Sequence, residues 1–179
     1  NRDIMKKTDF SSIKCQIIDL SICNTSSLRF ALNHLGVNSE ILKSSEKIGK
    51  NCDAIILPGV GSYEAGMNAL DDSKIGLAIK EVVNNKSIPI LGICLGMQLL
   101  FEGSDENGKH KGLSLLPGWV KKIPSKLIKV PNIGWCEVEW RNSEISLLRG
   151  KNIKKESFYF VHSYWCETKD ERIVKAYVD

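Results

Sequence analysis

A cysteine flanked by glycines offers the clearest chemistry in this sequence. Cys94 ends an apolar run, Gly92 and Gly96 flank it, and helix-forming residues follow at once. This order predicts a strand, a sharp turn and a helix, because glycine relieves the backbone crowding of such a turn. A thiol there meets the positive end of the helix dipole, which favours the nucleophilic thiolate. The pattern parallels the nucleophile elbow of serine hydrolases with sulfur in place of oxygen. A buried structural cysteine is the alternative.

Acyl transfer at a thiol also needs hydrogen-bond donors for the oxyanion, a base and a substrate clamp. Glycine-rich turns present backbone N–H groups freely, and one follows the apolar run that ends at Leu57. The candidate oxyanion donors are the amides of Gly59, Val60, Gly61 and Leu95. A simple chain turn would explain the same glycines. Their position after one strand of a parallel sheet, with Cys94 after another, favours a function.

The sequence contains three histidines that could serve as the base. His34 lies in a predicted helix and is expected to be structural or exposed. His110 lies in the charged segment 105–111, which is expected to be a loop. His162 is in an ordered, aromatic segment, and from the residues alone it is the natural base for Cys94.

The nucleophile and the oxyanion donors must be held in place by the predicted strands and helices, which alternate along the first half of the chain. The predicted strands are 14–20, 37–42, 53–57 and 88–93, and the predicted helices are 28–35, 63–70 and 75–83, with 21–27 as a loop. This alternation predicts an α/β fold with a mostly parallel, doubly wound sheet and the nucleophile elbow. Sites in such sheets form at the carboxyl ends of strands. Shorter segments at 127–130, 135–140 and 157–165 predict a smaller antiparallel strand set in the second half, and 172–178 is also strand-like.

Composition narrows the function classes. The 179 residues, 42% of them hydrophobic, predict a single domain over 1–179, with 1–12 as a tail. The net charge of +4 is spread along the chain, which argues against nucleic acid as a partner. The six cysteines form no C-x-x-C pair, so we expect no metal and no cofactor. No apolar run is long enough for a membrane span, and unpaired cysteines suggest the cytoplasm.

The segment Gly-Ile-Cys-Leu-Gly-Met-Gln-Leu-Leu at 92–100 resembles the nucleophile segment of class I (triad) glutamine amidotransferases. It is most similar to the glutaminase subunits of imidazole glycerol phosphate synthases. Pro-Gly-Val-Gly at 58–61 and Tyr-Phe-Val-His-Ser-Tyr at 159–164 resemble the oxyanion and substrate segments of the same enzymes. The resemblance implies that Cys94 takes ammonia from L-glutamine through a thioester. It also implies glutamine contacts at Gly59, Gln98, Ser163 and Tyr164.

The resemblance further implies a partner. In this family, ammonia passes to a (β/α)8-barrel cyclase subunit that makes imidazole glycerol phosphate in histidine biosynthesis, and the two subunits form a heterodimer. Asn24 and Trp135 match segments that face this partner, but glycines usual near Asn24 are absent and Cys136 stands where Asn is usual. The same chemistry could instead serve a paralogous synthase, such as a surface-sugar amidotransferase. A cysteine hydrolase that is not an amidotransferase is a further alternative.

Two members of the family's triad have no counterpart in this sequence. The family carries its catalytic His and Glu together in a His-Pro-Glu motif near the C-terminus, whereas none of the three histidines here is followed two residues later by Glu. We therefore expect the domain to continue beyond Asp179, and the alternative is an inactive regulatory subunit. The family gives the His162 segment a structural role on the substrate side, in disagreement with the assignment of His162 as base.

Overall fold

The computed structural model describes residues 9–126, 128–141 and 155–178 of the chain. The elements of the first half are β1 (Lys14–Ile18), α1 (Thr25–His34), β2 (Asn38–Leu42), β3 (Ala54–Gly59), α2 (Tyr63–Asp72), α3 (Ile75–Lys86), β4 (Ile90–Cys94) and α4 (Leu95–Leu99). Those of the second half are β5 (Gly103–Ser104), β6 (His110–Lys111), β7 (Trp119–Lys122), β8 (Asn132–Trp140), β9 (Lys155–His162), β10 (Tyr164–Glu167) and β11 (Ala176–Tyr177).

The first four strands form a parallel sheet in the order β2-β1-β3-β4. Along β3, Ile55 and Leu57 pack into the core beneath α2, α3 and α4, whereas Ile56 packs on the opposite face against Leu28 and Leu32 of α1. Both faces are thus covered by helices, which explains why the strands read as continuous apolar runs. The predicted α/β fold with a doubly wound parallel sheet is confirmed. No helix in the described part of the chain is long and apolar enough to cross a membrane.

The second half forms two further sheets. One has the order β10-β7-β5-β6 with a single parallel pair, β5 with β7, and the other is antiparallel with the order β11-β8-β9. The predicted strand 157–165 is in fact two strands, because the chain leaves one sheet at His162 and enters the other at Tyr164. The smaller antiparallel set is otherwise confirmed.

Two predicted strands are wrong in part. Residues 128–130 are not in a strand, and Leu127 lies outside the described residues. Within 172–178, only Ala176–Tyr177 is a strand. The segment before it turns instead, because the Asp170 side chain accepts hydrogen bonds from the backbone and the guanidinium of Arg172. Such local side-chain bonds favour turns over extended chain.

Helix α1 begins earlier than predicted. Asn24 is its N-cap and accepts a hydrogen bond from the Ser26 N–H at 3.0 Å, so that Thr25–Ser27 are helical rather than loop. The C-terminal end is as predicted, with Gly36 at φ +81°. At the start of the described chain, Phe10 packs against the α1 side of the sheet rather than belonging to a free tail. Residues 1–8 of the expected tail lie outside the described residues.

Candidate functional site

Cys94 lies at the turn between β4 and α4, as the last residue of the strand. Its backbone has φ 55° and ψ −118°, a conformation that a residue with a Cβ keeps only where the surrounding structure enforces it. Its side chain is exposed. The turn therefore presents the sulfur at the carboxyl end of β4, where sites form in a parallel sheet.

Two glycines allow the chain to make this turn. A Cβ on Gly96 would overlap the backbone carbonyl oxygen of Leu57 on β3, and a Cβ on Gly92 would lie 2.6 Å from the Met97 nitrogen. Because both positions meet backbone atoms, a side-chain rearrangement cannot make room for a larger residue. The structure thus contains the strand, sharp turn and helix that the glycine spacing predicts, while the nucleophilic role of Cys94 stays a prediction.

The segment after β3 lies against the elbow. Gly59 is the register partner of Cys94 in the parallel β3–β4 pair. A Cβ on Gly59 would lie 3.1 Å from the Gly96 nitrogen and 3.2 Å from the Cβ of Leu95. Leu95 is the first residue of α4, and an N–H at that position has no acceptor within its own helix. The structure therefore brings together two of the four predicted oxyanion residues.

Val60 and Gly61 continue the chain from β3 towards α2. Val60 is 55% exposed. Gly61 has φ +106°, and no atom lies within 4 Å of the position that a Cβ would occupy. Within residues 9–126, 128–141 and 155–178, neither backbone N–H donates a hydrogen bond. Both amides are thus free of internal partners, as donors to an oxyanion must be.

A carboxylate that sequence reasoning missed lies beside this segment. The Oε2 of Glu106 accepts a hydrogen bond from the Tyr63 N–H, at the first residue of α2, with a distance of 2.7 Å. The backbone N–H of Glu106 donates to the hydroxyl of the buried Ser104 at 3.0 Å. The signal was a serine followed two residues later by an acidic residue, a pattern typical of side-chain-to-backbone turns.

Two of the predicted glutamine contacts, Gln98 and Tyr164, meet at one backbone carbonyl, and Ser163 immediately precedes Tyr164 in the chain. Gln98 lies in α4, and its Nε2 donates to the carbonyl oxygen of Tyr164 at 3.3 Å. Ser163 lies where the chain passes between the two smaller sheets, and its carbonyl accepts from the Ile123 N–H at 2.9 Å. The helix that follows Cys94 is thereby joined to the segment Ser163–Tyr164.

His162 is not presented to Cys94 as a base. Its Nδ1 lies 2.9 Å from the Tyr164 carbonyl oxygen, and its Nε2 lies 3.2 Å from the Asn132 Nδ2. Both ring nitrogens are therefore engaged with other groups. The pairing of His162 with Cys94 that the residues alone suggest has no counterpart among the contacts of the described residues.

The other two histidines are placed differently from each other. His34 is exposed at the end of α1, as expected. His110 is not in a loop, because it forms β6 and pairs with Ser104 on β5. Its Nε2 is buried without a hydrogen-bond partner among the described residues. Neither forms a hydrogen bond to Cys94 within the described chain.

The six cysteines form no disulfide, and Cys94 is the exposed one among them. Burial raises the pKa of the Cys166 thiol to about 12 and also raises the pKa of Cys15 and of Cys23. Among the described residues, no group of three or more metal-ligating side chains is placed to hold a metal ion. The exposed thiol at the elbow is therefore the most accessible sulfur for chemistry.

The two predicted partner-facing residues lie on different elements. Asn24 is exposed at the start of α1. Trp135 on β8 is 73% exposed, and its ring meets that of Tyr159 on β9 edge-on at 5.7 Å. Ile133 and Val161 form the adjacent exposed cross-strand pair. We call these four β8–β9 side chains the apolar face, and the contacts of the described residues do not link it to Asn24.

Comparisons with known proteins agree on one family. The sequence profile described as "Glutamine amidotransferase class-I" matches residues 16–175. The chain is 37% identical over 168 residues to "Imidazole glycerol phosphate synthase subunit HisH" of Leptospira interrogans, covering 91% of this chain and 80% of that protein. It is 41% identical over 158 residues to the protein of the same name from Moorella thermoacetica, covering 88% and 73%.

Solved structures share the fold at lower sequence identity. "Structure of PurLQS from Thermotoga maritima" aligns with a TM-score of 0.71 and 18% identity over 93% of this chain and 74% of that chain. "Crystal structure of glutamine amidotransferase" aligns with a TM-score of 0.67 and 14% identity over 87% and 75%. At such identities, these likenesses establish the architecture alone.

Proposed function

Because this chain belongs to the class-I glutamine amidotransferases, we propose that it is the glutaminase subunit of an imidazole glycerol phosphate synthase in histidine biosynthesis. The relatives that carry this name are 37% and 41% identical to it over most of both chains. The observation that carries the proposal is the exposed Cys94 at a glycine-packed elbow, in register with Gly59 of the segment Pro58–Gly61.

The proposed reaction proceeds through a thioester. The Cys94 thiolate attacks the side-chain amide carbon of L-glutamine, so that a C–S bond forms and the carbonyl oxygen becomes an oxyanion. The backbone N–H groups of Gly59, Val60, Gly61 and Leu95 are the donors that we assign to this oxyanion. The C–N bond then breaks, and the nitrogen takes up a proton and leaves as ammonia. Water next attacks the thioester, the C–S bond breaks, and glutamate and the thiol are released.

The substrate-binding residues in this proposal are Gly59, Gln98, Ser163 and Tyr164. Their support is the hydrogen bond from Gln98 Nε2 to the Tyr164 carbonyl oxygen, which joins the segment Ser163–Tyr164 to the helix that follows Cys94. We assign the nucleophile, the oxyanion donors and the clamp to the described residues, and we assign the base to none of their three histidines. Six cysteines without a disulfide suit a reducing cytoplasm, which is the compartment that we propose.

The proposed partner is the ammonia-accepting synthase subunit, a (β/α)8-barrel cyclase, which would cover Trp135 and Asn24. The support is the apolar face, since exposed, contiguous apolar side chains mark interaction sites. A subunit that releases ammonia gains from such contact, because ammonia is then passed on rather than lost to water. A surface-sugar synthase remains the alternative partner, and measured binding to each purified synthase separates the two.

A diazo-ketone analogue of glutamine tests the proposed site. Its diazo carbon takes up a proton and then alkylates the nucleophilic sulfur: a C–S bond forms, the C–N bond breaks and N2 leaves, which gives a stable adduct. We expect intact-mass and peptide analysis to find one adduct, at Cys94, and we expect L-glutamine but not L-asparagine to slow its formation. Cys94→Ser should form no adduct, whereas the matched control Cys23→Ser should react like the unchanged protein.

Two outcomes would contradict the proposal. Adduct formation at Cys94 that L-glutamine does not slow would mean that the elbow binds no glutamine. Equal modification of several cysteines would remove the special role of Cys94. Ammonia release from glutamine in the presence of the synthase subunit then separates an active glutaminase from an inactive regulatory subunit that binds glutamine without hydrolysing it.

A further inference from the structure

Asn132 and His162 form a chain of hydrogen bonds that leads from β8 to the helix after Cys94. The two residues are directly opposite each other in the antiparallel β8–β9 pair. Asn132 Nδ2 lies 3.2 Å from His162 Nε2, and His162 Nδ1 lies 2.9 Å from the Tyr164 carbonyl oxygen. The same oxygen accepts from Gln98 Nε2 at 3.3 Å. Four residues on four elements thus meet through one imidazole and one carbonyl.

The chemistry of the partners fixes the state of the imidazole. A backbone carbonyl only accepts, so Nδ1 of His162 must carry a proton and donate to Tyr164. The Nδ2 of Asn132 only donates, so Nε2 must present its lone pair. In the tautomer with the proton on Nδ1, both ring nitrogens of His162 have a complementary partner. With no free nitrogen, it is suited to holding a group in place rather than to moving a proton.

The carbonyl of Tyr164 connects His162 to Gln98 in this chain of hydrogen bonds. A carbonyl oxygen has two lone pairs, and here one accepts from His162 and the other from Gln98. The bond from His162 orients the carbonyl, and the carbonyl in turn orients the plane of the Gln98 amide. Gln98 has a second N–H and an oxygen remaining for recognition of a ligand.

We infer that Asn132 and His162 are positioning residues for glutamine: they orient the Tyr164 carbonyl and, through it, the Gln98 side chain. The inference rests on the proposed glutaminase function. It assigns His162 to substrate binding rather than to proton transfer. It also gives Asn132 a role that no sequence motif suggested, because its side chain contacts the other ring nitrogen and so helps to hold the imidazole in place.

Two substitutions at one position separate the two hydrogen bonds of the imidazole. His162→Asn keeps an amide N–H near the place of Nδ1 and can still donate to Tyr164. His162→Gln places its amide near the position of Nε2 and keeps a partner for Asn132, but it loses the donor to Tyr164. His34→Gln, on the exposed end of α1, is the matched control.

The test measures the alkylation of Cys94 by the diazo-ketone glutamine analogue, with its half-saturating concentration and its maximal rate determined separately. We expect His162→Gln to raise the half-saturating concentration about fivefold, the effect of one lost hydrogen bond, with the maximal rate within about twofold. We expect His162→Asn to restore the half-saturating concentration to within about twofold of the unchanged protein. Asn132→Leu should raise it about threefold. Iodoacetamide, which needs no clamp, should react equally with all variants.

Several results would overturn the inference. Equal half-saturating concentrations for His162→Gln and His162→Asn would mean that the donor to Tyr164 does not matter. A collapse of the maximal rate in both variants, with unchanged half-saturation, would make His162 a proton-transfer group. Circular dichroism melting identifies a variant that has lost its fold, and Asn132→Leu then still tests the chain of hydrogen bonds. If the unchanged protein is alkylated at Cys94 without protection by glutamine, the proposed function itself fails, which the variants alone could not indicate.

Discussion

The elbow at Cys94 and the β8–β9 strand pair hold candidate site residues by different means. At the elbow, backbone packs on backbone: Gly96 fits beneath the Leu57 carbonyl and Gly92 against Met97. In β8–β9, side chains hold the site, since Asn132 contacts the imidazole of His162 and His162 in turn contacts the Tyr164 carbonyl. A site built from backbone requires glycine and little else. A site built from side chains requires particular partners on strands that are far apart in sequence.

The largest expected effect is the difference in alkylation rate between Cys94 and the more buried cysteines. At neutral pH, Cys166 should be alkylated by a maleimide roughly 10³-fold more slowly than an ordinary exposed thiol, because burial raises its pKa from 9.0 to about 12. Cys94 should react first, and the half-buried Cys136 on β8 should react more slowly. Time-resolved peptide mass spectrometry measures all of these rates in one sample. Equal rates at Cys94 and Cys136 would break the comparison.

Gly96→Ala should show that the elbow tolerates no side chain. Its Cβ would overlap backbone atoms of β3, so we expect the free energy of unfolding to fall by about 3 kcal/mol. A thermal melt should then shift down by roughly 6–12 °C. Gly36→Ala is the matched control, since Gly36 has φ +81° but open space, and it should cost only about 1 kcal/mol. Similar costs for both would contradict the packing argument, since Gly96 lies within α4 and is not among the glycines with positive φ.

Trp135→Ala should affect partner binding and leave the fold intact. Trp135 is 73% exposed, so its removal should change the free energy of unfolding by less than about 0.5 kcal/mol. The Kd for the synthase subunit should rise roughly 30-fold, which is typical of an aromatic anchor. Leu77→Ala on α3, where Leu77 is 71% exposed, serves as the control and should leave the Kd unchanged. Isothermal titration calorimetry gives the Kd of each variant. An equal Kd for Trp135→Ala and Leu77→Ala would mean that the apolar face is not part of the interface.

The smallest expected effect appears at alkaline pH. Burial raises the pKa of Cys166 and of Tyr63 to about 12 each, from 9.0 and 10.0. Above about pH 9, the unfolded chain therefore loses protons that the folded chain keeps, and the free energy of unfolding falls as pH rises. At pH 10 the loss from Cys166 should be about 1 kcal/mol. Denaturant titrations at pH 8 and pH 10 measure it, and Cys166→Ala should lose less between the two. An unchanged slope in that variant would contradict the assignment.

The parallel half of the fold was predictable because its signals are local. Apolar runs mark β1, β3 and β4, and glycines mark the turns at their ends. Strands β5 and β6 gave no such signal, since each spans two residues and exists only through pairing with β7 and with each other. Helix α1 begins at Thr25 rather than at residue 28, because the side chain of Asn24 caps it. Pairing between distant segments is what a single sequence reveals least.

The candidate site also has a part with local sequence signals and a part that depends on contacts between distant segments. Cys94 and Pro58–Gly61 stand out in the sequence because glycines spaced so closely at the end of an apolar run are typical of tight turns after strands. The Tyr164 carbonyl carries no residue-type signal, because every residue has one. The contact of Glu106 with the start of α2 joins residues 43 positions apart, and spacing alone could not have indicated it. The role of His162 could not be decided from the residues alone for a related reason, since a histidine in a sequence does not show which groups face its two nitrogens.

The passage of the chain from β9 to β10 at Ser163 has an evolutionary consequence. Side chains alternate between the two faces of a strand, so one inserted or deleted residue would exchange the faces of everything beyond it. Here such a change would turn His162 away from Asn132, or Tyr164 out of its pairing with Lys122. Homologous genes should therefore keep the length of this segment even where residues other than His162, Ser163 and Tyr164 differ. A survey of insertions and deletions across natural variants, or a library with single codons added between 158 and 167, would reveal that constraint.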